Sequence, residues 1–150
     1  MPNDKFVYVT YIGATRERVW SALTEPEFTR QYWGHENISD WKPGSGWEHR
    51  EANPKRELKL VGKVIEYDAP RRLVLTWAFP ADVGNPAVHS RVTFELEPVG
   101  NMVRLTVTHD QLGADEKMME GIRQGWPRVL SSLKSWLETG KALDTWAGKK

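Results

Sequence analysis

The last third of this chain differs from the part before it, because its apolar residues have the three-to-four-residue period of a helix, while the two-residue period of strands prevails earlier. Up to residue 109 the chain carries short segments rich in β-branched and aromatic residues. Beyond that point apolar residues recur at helical spacing: Met119, Ile122, Trp126, Val129 or Leu130, Leu133 and Leu137. This pattern predicts one amphipathic helix from Asp115 to about Ala142, with a bend near Arg123 because Pro127 removes a backbone hydrogen bond.

Six segments are typical of strands: Phe6–Ile12, Trp47–Arg50, Leu58–Tyr67, Leu73–Phe79, Val88–Glu97 and Met102–His109. Two short helices are predicted after the first strand, at Thr15–Leu23 with Thr15 as N-cap and at Glu27–Trp33 before Gly34. Residues 34–46 are rich in turn formers and are expected to be turns. The chain is therefore predicted to be α+β, an antiparallel sheet covered by one long helix in a single domain spanning 1-150.

Charge and composition exclude several classes of partner. The 150 residues carry 21 basic and 20 acidic side chains, and a net charge of +1 gives no general attraction to nucleic acid. No apolar run approaches the roughly 18 residues of a membrane span, so no membrane insertion is expected. Without cysteine there is no disulfide or thiolate metal site, and the start Met1–Lys5 has no apolar signal segment. A cytoplasmic location is expected.

Metal and cofactor motifs are not found in the sequence. The four histidines are far apart and have no metal-ligand spacing: His35, His49, His89 and His109. Gly44–Gly46 has no Walker lysine after it and is expected to be a turn, and there is no G-x-S-x-G elbow. We therefore expect no metal and no cofactor.

The last two strand-like segments predict a hairpin with a four-residue loop at Pro98–Asn101. This loop pairs Glu97 with Met102, and the same register places Ser90 opposite His109. One face of the hairpin is then apolar, and Ser90 and His109 lie on it at the end far from the loop.

Alternation along Leu58–Tyr67 places Lys59 and Lys63 outside and Glu66 inside, while Gly62 leaves an inward gap. Glu66 would then be a proton-transfer group in an apolar lining, or else the ion-pair partner of Arg71 or Arg72.

His109 has two interpretations as well. It could orient a ligand or exchange a proton, or it could be a core histidine satisfied by Ser90 or a backbone group.

Tryptophan is abundant, with eight residues in a small chain. Trp33, Trp47, Trp77 and Trp126 could line a cavity or simply fill the core. The candidate ligand-binding residues are Trp33, Trp47, Glu66, Trp77, Ser90, Phe94, His109, Met119, Ile122 and Trp126; no catalytic residue is assigned.

Six segments together resemble a known family: Val19–Glu27, Arg30–Trp33, Gly62–Glu66, Pro70–Trp77, Leu105–His109 and Gly125–Trp126. In these segments and their order the chain resembles the AHSA-type group (activator of heat-shock chaperone ATPase homologue-like) of the START-related SRPBCC superfamily. The resemblance implies a helix-grip fold, in which a strongly curved sheet wraps around the C-terminal helix. It also implies an internal pocket for lipids, sterols, polyketides or other apolar molecules.

Three functions stay open at this point. The first is binding of a small hydrophobic or aromatic molecule between the sheet and the helix. The second is an enzyme of cyclase, dehydratase or hydrolase type in the same cavity, with His109 and Glu66 transferring protons. The third is a co-chaperone-like interaction domain of the stress response, with a chaperone partner. Homodimerisation through an edge strand is a further expectation.

Overall fold

The computed structural model describes residues 5–85, 88–112 and 116–143. These residues form seven strands and three α-helices, with a short 3-10 turn at Pro80–Asp82: β1 (Phe6–Ile12), α1 (Arg16–Thr24), α2 (Pro26–Trp33), β2 (His35–Ser39), β3 (Gly46–Glu51), β4 (Leu58–Asp68), β5 (Arg72–Trp77), β6 (Ser90–Val99), β7 (Met102–Asp110) and α3 (Glu116–Thr139).

The strands make one curved antiparallel sheet in the order β1-β7-β6-β5-β4-β3-β2. The buried residues of α3 share a single core with the inward side chains of β5, β6 and β7, so the long helix lies across the sheet. This arrangement confirms the predicted α+β helix-grip fold. It also places α1 and α2 between the first two strands in sequence, as predicted.

Local sequence signals explain the ends of the two short helices. Thr15 caps α1, where its hydroxyl accepts a hydrogen bond from the backbone N–H of Arg18 at 3.2 Å. Gly34 ends α2 with φ of 76°, a left-handed conformation that glycine adopts without strain.

The expectation of turns throughout residues 34–46 is wrong, because β2 occupies His35–Ser39. Asn37 has low strand propensity, so the local sequence does not predict this element. The strand forms because it pairs along its whole length with β3, from His35 opposite Glu51 to Ser39 opposite Trp47. Pairing with β3, rather than local propensity, therefore determines the conformation of β2.

The predicted hairpin register is also wrong, by two residues. The loop contains only Gly100 and Asn101, so Val99 lies opposite Met102 and Val92 opposite His109. Gly100 has φ of 59°, as the first position of a tight hairpin loop requires. A two-residue shift keeps every side chain on its predicted face, and the apolar face is buried as expected.

The position of Pro98 explains why the loop length is predicted wrongly, because proline is more typical of a loop than of a strand. It lies opposite Val103, next to the hydrogen-bonded pair that closes the loop. On its other side β5 begins only at Arg72, opposite Glu95. Pro98 therefore sits where neither neighbouring strand needs its N–H.

The long helix runs without interruption through Pro127 and ends at Thr139 rather than near Ala142. The predicted N-cap, Asp115, lies outside the described residues. The bend near Arg123 stays a prediction.

Candidate functional site

A pocket of about 610 Å³ opens between α3 and the end of the sheet formed by β3, β4 and β5. We call it the tryptophan pocket, lined by Trp33, Gly34, His35, His49, Glu51, Asn53, Lys59, Leu60, Trp77, Phe79, Lys117, Met118, Gly121, Ile122, Gly125, Trp126 and Val129. Its wall combines one face of α3 with residues from four strands and the end of α2. The helix and the curved sheet therefore do not close completely on each other.

Three indole rings form the floor of the tryptophan pocket. The ring centres of Trp33 and Trp126 are 5.7 Å apart, and those of Trp77 and Trp126 are 5.3 Å apart. Each of the three residues is at most 5% exposed. The ring of His49 packs on Trp33 with 4.6 Å between centres. The floor is thus a rigid aromatic surface suited to a flat or apolar molecule.

Glycines on α3 keep the pocket open. Gly121 and Gly125 both line it, one turn apart, and no heavy atom lies within 4 Å of where a Cβ would stand at either position. Larger residues there would project into space that the molecule leaves free. Glycine, which has a low helix propensity, therefore occupies two helix positions that face the cavity.

The mouth of the pocket carries charged side chains. Lys59 lies 3.3 Å from Glu57 and 3.9 Å from Glu51. Lys117 lies over the ring of Phe79, with its Nζ 5.4 Å from the ring centre. An apolar floor below a polar rim is the usual composition of a small-molecule site.

His109 lies behind the floor rather than on it. Its Nδ1 accepts a hydrogen bond from the indole N–H of Trp126 at 3.1 Å, and its Nε2 is 2.8 Å from the hydroxyl of Ser90. That hydroxyl in turn donates to the carbonyl of Trp77 at 2.8 Å. Since the indole can only donate, Nδ1 is unprotonated and Nε2–H donates to Ser90. Burial lowers the pKa of His109 to about 3, which agrees with a neutral ring.

His49 is held in a second buried network. Its Nδ1 is 2.7 Å from the side-chain oxygen of Asn37, whose amide nitrogen donates to the carbonyl of Leu23. His35 stacks on His49, with ring centres 4.8 Å apart. Burial lowers the pKa of His49 well below its usual value, and the neighbouring His35 lowers it further.

Within the described ranges 5–85, 88–112 and 116–143, no three histidine, aspartate or glutamate side chains are placed to hold a metal ion. No helix in the same ranges is long and apolar enough to cross a membrane.

A family model described as "Activator of Hsp90 ATPase homolog 1-like protein" matches residues 13–138. The match begins directly after β1 and ends in the last turn of α3. The chain belongs to this family. The resemblance expected from the six sequence segments is thereby confirmed. A comparison with curated proteins finds no significant match.

Solved structures with the same fold include an Aha1 dimer and an HSP90 activator. The Aha1 dimer from Colwellia psychrerythraea has a TM-score of 0.76 at 22% identity, covering 92% of this chain and 98% of that one. An HSP90 activator from Plasmodium falciparum has a TM-score of 0.74 at 24% identity, covering 91% and 97%. Protein MLL2253 from Mesorhizobium loti has a TM-score of 0.73 at 23% identity, covering 89% and 96%. At these identities the likeness shows the fold.

In this AHSA1-like chain, four of the ten predicted ligand-binding residues line the tryptophan pocket: Trp33, Trp77, Ile122 and Trp126. Ser90 and His109 form the network behind the floor, and Phe94 packs edge-on against Trp126 at 5.8 Å between ring centres. Met119 packs against the core, while its neighbour Met118 lines the pocket.

The prediction that Glu66 points inward is wrong. An extra residue in β4 between Val64 and Glu66 shifts the pairing with β5, so Glu66 lies opposite Val74 on the outer face. Its carboxylate pairs with Arg72 at 3.2 Å, and its side chain is 42% exposed. The ion-pair interpretation is therefore correct, with Arg72 as the partner.

The inward gap expected at Gly62 is also wrong, because the side chain of Trp47 fills it. Trp47 lies opposite Gly62, and its indole N–H donates to the carbonyl of Thr76 at 2.7 Å. A Cβ on Gly62 would overlap both that carbonyl oxygen and the indole nitrogen. Trp47 is thus a core residue beneath Trp77, with 4.9 Å between their ring centres.

Sequence reasoning missed the polar part of the lining: His35, His49, Glu51, Asn53, Lys59 and Lys117. A signal existed for two of them, since a two-residue period places His49 and Glu51 on the same face of β3 as Trp47. None existed for His35, because β2 itself was not predicted.

Proposed function

We propose that this protein binds a small aromatic or apolar molecule in the tryptophan pocket. The observation that carries the proposal is a cavity of about 610 Å³ with a floor of three indoles. Ligand sites in proteins occupy roughly 300–1,000 Å³ and combine an apolar lining with a few polar groups. Membership of the family is consistent with either a ligand-binding or an Hsp90-activator-like role. The cytoplasmic location stays a prediction.

Apolar burial supplies the affinity in this proposal. A two-ring aromatic molecule that buries about 200 Å² would gain roughly 5 kcal/mol before the costs of association. The aromatic floor adds edge and face contacts with ring ligands, and its rotamers are fixed by packing before a ligand arrives. Preorganisation of this kind lowers the entropy lost on binding.

The test uses native mass spectrometry of the purified protein and quenching of tryptophan fluorescence by 2-methylnaphthalene. Gly125→Leu should fill the pocket and weaken binding at least about tenfold, since the new side chain enters free space. Gln124→Leu adds the same side chain at an exposed position that does not line the pocket. It should leave binding unchanged. Equal binding by the wild type and Gly125→Leu would exclude this pocket as the site.

The enzyme alternative required Glu66 and His109 as proton-transfer groups in the cavity, and neither residue lines the pocket. Glu66 lies on the outer face of the sheet, and His109 is neutral and fully hydrogen-bonded in the core. We therefore favour binding over catalysis by these two groups.

A second candidate function is protein interaction through the edge strand β1. Val7, Val9 and Tyr11 on its outer face are 50%, 46% and 40% exposed. Exposed apolar side chains along an edge strand favour pairing with another chain. Structural relatives include an Aha1 dimer and an HSP90 activator. Light scattering should detect a dimer that Val9→Lys dissociates, and a monomer at all concentrations would exclude self-association.

A further inference from the structure

The hydrogen bonds around His49 fix which of its ring nitrogens carries the proton. The amide nitrogen of Asn37 donates to the carbonyl of Leu23 at 3.1 Å, so the amide oxygen of Asn37 faces His49. An amide oxygen only accepts, and it is 2.7 Å from Nδ1 of His49. Nδ1 must therefore be the protonated nitrogen, and Nε2 carries a lone pair.

Nε2 of His49 faces the pocket. His49 is 3% exposed and belongs to the lining, and among the described residues no hydrogen-bond partner of Nε2 is found. The same residues contain no buried side-chain nitrogen that is both unpartnered and closed to solvent, so Nε2 is open to the cavity. A buried acceptor that is accessible only from a pocket costs free energy unless the molecule in the pocket donates a hydrogen bond to it.

Trp77 places a donor in the same wall. Its indole N–H has no acceptor within the part of the chain that the structure describes, and the residue is 4% exposed in the pocket lining. The ring centres of Trp77 and His49 are 6.1 Å apart. A hydroxyl group both donates and accepts, so it matches a wall that presents one acceptor and one donor.

We infer that the ligand of the tryptophan pocket is a hydroxylated aromatic molecule whose hydroxyl donates a hydrogen bond to Nε2 of His49. This inference rests on the proposed function and specifies its ligand class. Phenols and naphthols combine the flat ring that suits the indole floor with the donor that Nε2 lacks. An aromatic hydrocarbon of equal size would bind but leave the acceptor unpaired.

The experiment compares 2-naphthol with 2-methylnaphthalene, which has a similar shape and no donor. Dissociation constants are measured by tryptophan quenching for the wild type and for His49→Phe, which keeps a ring of similar size without the acceptor. The ratio of the two constants in the variant corrects for the different hydrophobicity of the two probes. We expect the wild type to favour 2-naphthol by about tenfold more than the variant does.

The possible results separate the two proposals. If both probes bind and the ratio is the same in the wild type and the variant, the hydroxyl inference is wrong while pocket binding stands. If neither probe binds the wild type, the proposed binding of two-ring aromatic molecules in the pocket is wrong, and the hydroxyl inference falls with it. A larger ratio in the wild type supports both.

A second measurement does not depend on the variant folding. The 15N signal of the unprotonated ring nitrogen of His49 in the wild-type protein should shift to lower frequency when 2-naphthol is added, because that nitrogen accepts a hydrogen bond. It should shift much less with 2-methylnaphthalene. An equal response to both probes would overturn the inference.

Discussion

Trp126 donates its indole N–H to Nδ1 of His109 across 3.1 Å, which links the floor of the tryptophan pocket to the deepest histidine of the sheet. Ser90 completes the link through Nε2 of the same ring and through the carbonyl of Trp77. One floor indole, that of Trp126, is thus bonded directly to a buried imidazole, and the backbone carbonyl of Trp77 is tied to the same network through Ser90. His109 is a positioning residue for the pocket, and the core-histidine interpretation of the sequence is the one that the contacts favour.

Replacing Trp126 by phenylalanine should lower the free energy of unfolding by about 1–3 kcal/mol beyond the effect of the smaller ring, since Nδ1 of His109 would remain buried without a donor. Trp20→Phe is the matched control. It removes an indole N–H that bonds the half-buried hydroxyl of Tyr67, where water can substitute. Urea denaturation of both variants measures the difference, and an equal loss would contradict the role of the buried bond.

Stability should fall as the pH is lowered from 7.5 to 5.5. The folded-state pKa values of His49 and His109 lie below the unfolded value near 6.5, so the unfolded chain binds more protons in this range. The stabilisation is complete above about pH 6.5 and is lost towards the folded values, at up to about 1.4 kcal/mol per pH unit for each histidine. His109→Gln should reduce the slope in urea titrations. An unchanged midpoint from pH 7.5 to 5.5 would exclude buried neutral histidines.

Gly62→Ala should destabilise the fold by at least about 2 kcal/mol, because the new methyl group overlaps the carbonyl of Thr76 and the indole of Trp47. Gly121→Ala is the opposite case. Its methyl group enters free space on a helix, and it should stabilise by about 0.5–1 kcal/mol. Thermal denaturation of the two variants would show shifts of opposite sign, and two similar shifts would refute the packing described here.

Glu66 and Glu36 should respond differently to replacement by glutamine. Glu66 is 42% exposed, so Glu66→Gln should change stability by less than about 1 kcal/mol and leave ligand binding intact. Glu36 is 6% exposed and bonds Arg30 and Arg56, so Glu36→Gln should cost about 1.5 kcal/mol or more. Denaturant midpoints compare the two, and a loss of ligand binding in Glu66→Gln would contradict its place outside the pocket.

Much of the fold could be predicted because its signals are local. The periodic apolar residues of α3, the cap at Thr15 and the left-handed residue at Gly34 each depend on a few neighbours in sequence. The buried face of the β6–β7 hairpin was also predicted correctly despite the wrong loop length. A two-residue slip preserves the side of every residue, since side chains alternate with a period of two.

The candidate site was predicted less well, because its residues meet only after the chain folds. The extra residue in β4 that turns Glu66 outward arises in the pairing with β5 and leaves no mark in the alternation of apolar residues. His35 reaches the pocket on a strand that exists only by pairing with β3. The free acceptor of His49 likewise depends on Asn37, whose side-chain amide donates to the carbonyl of Leu23 in α1 and whose backbone N–H donates to the hydroxyl of Thr29 in α2.

By itself the sequence determined the family, the succession of strands and helices and the sides on which apolar residues fall, since each depends on residue type and short-range period. The tertiary structure decided that the indoles leave a pocket instead of filling the core. Whether a pocket remains depends on the distance between α3 and the sheet and on Gly121 and Gly125, which line the space between them. Such distances between elements are set by packing between residues far apart in sequence, which no local pattern encodes.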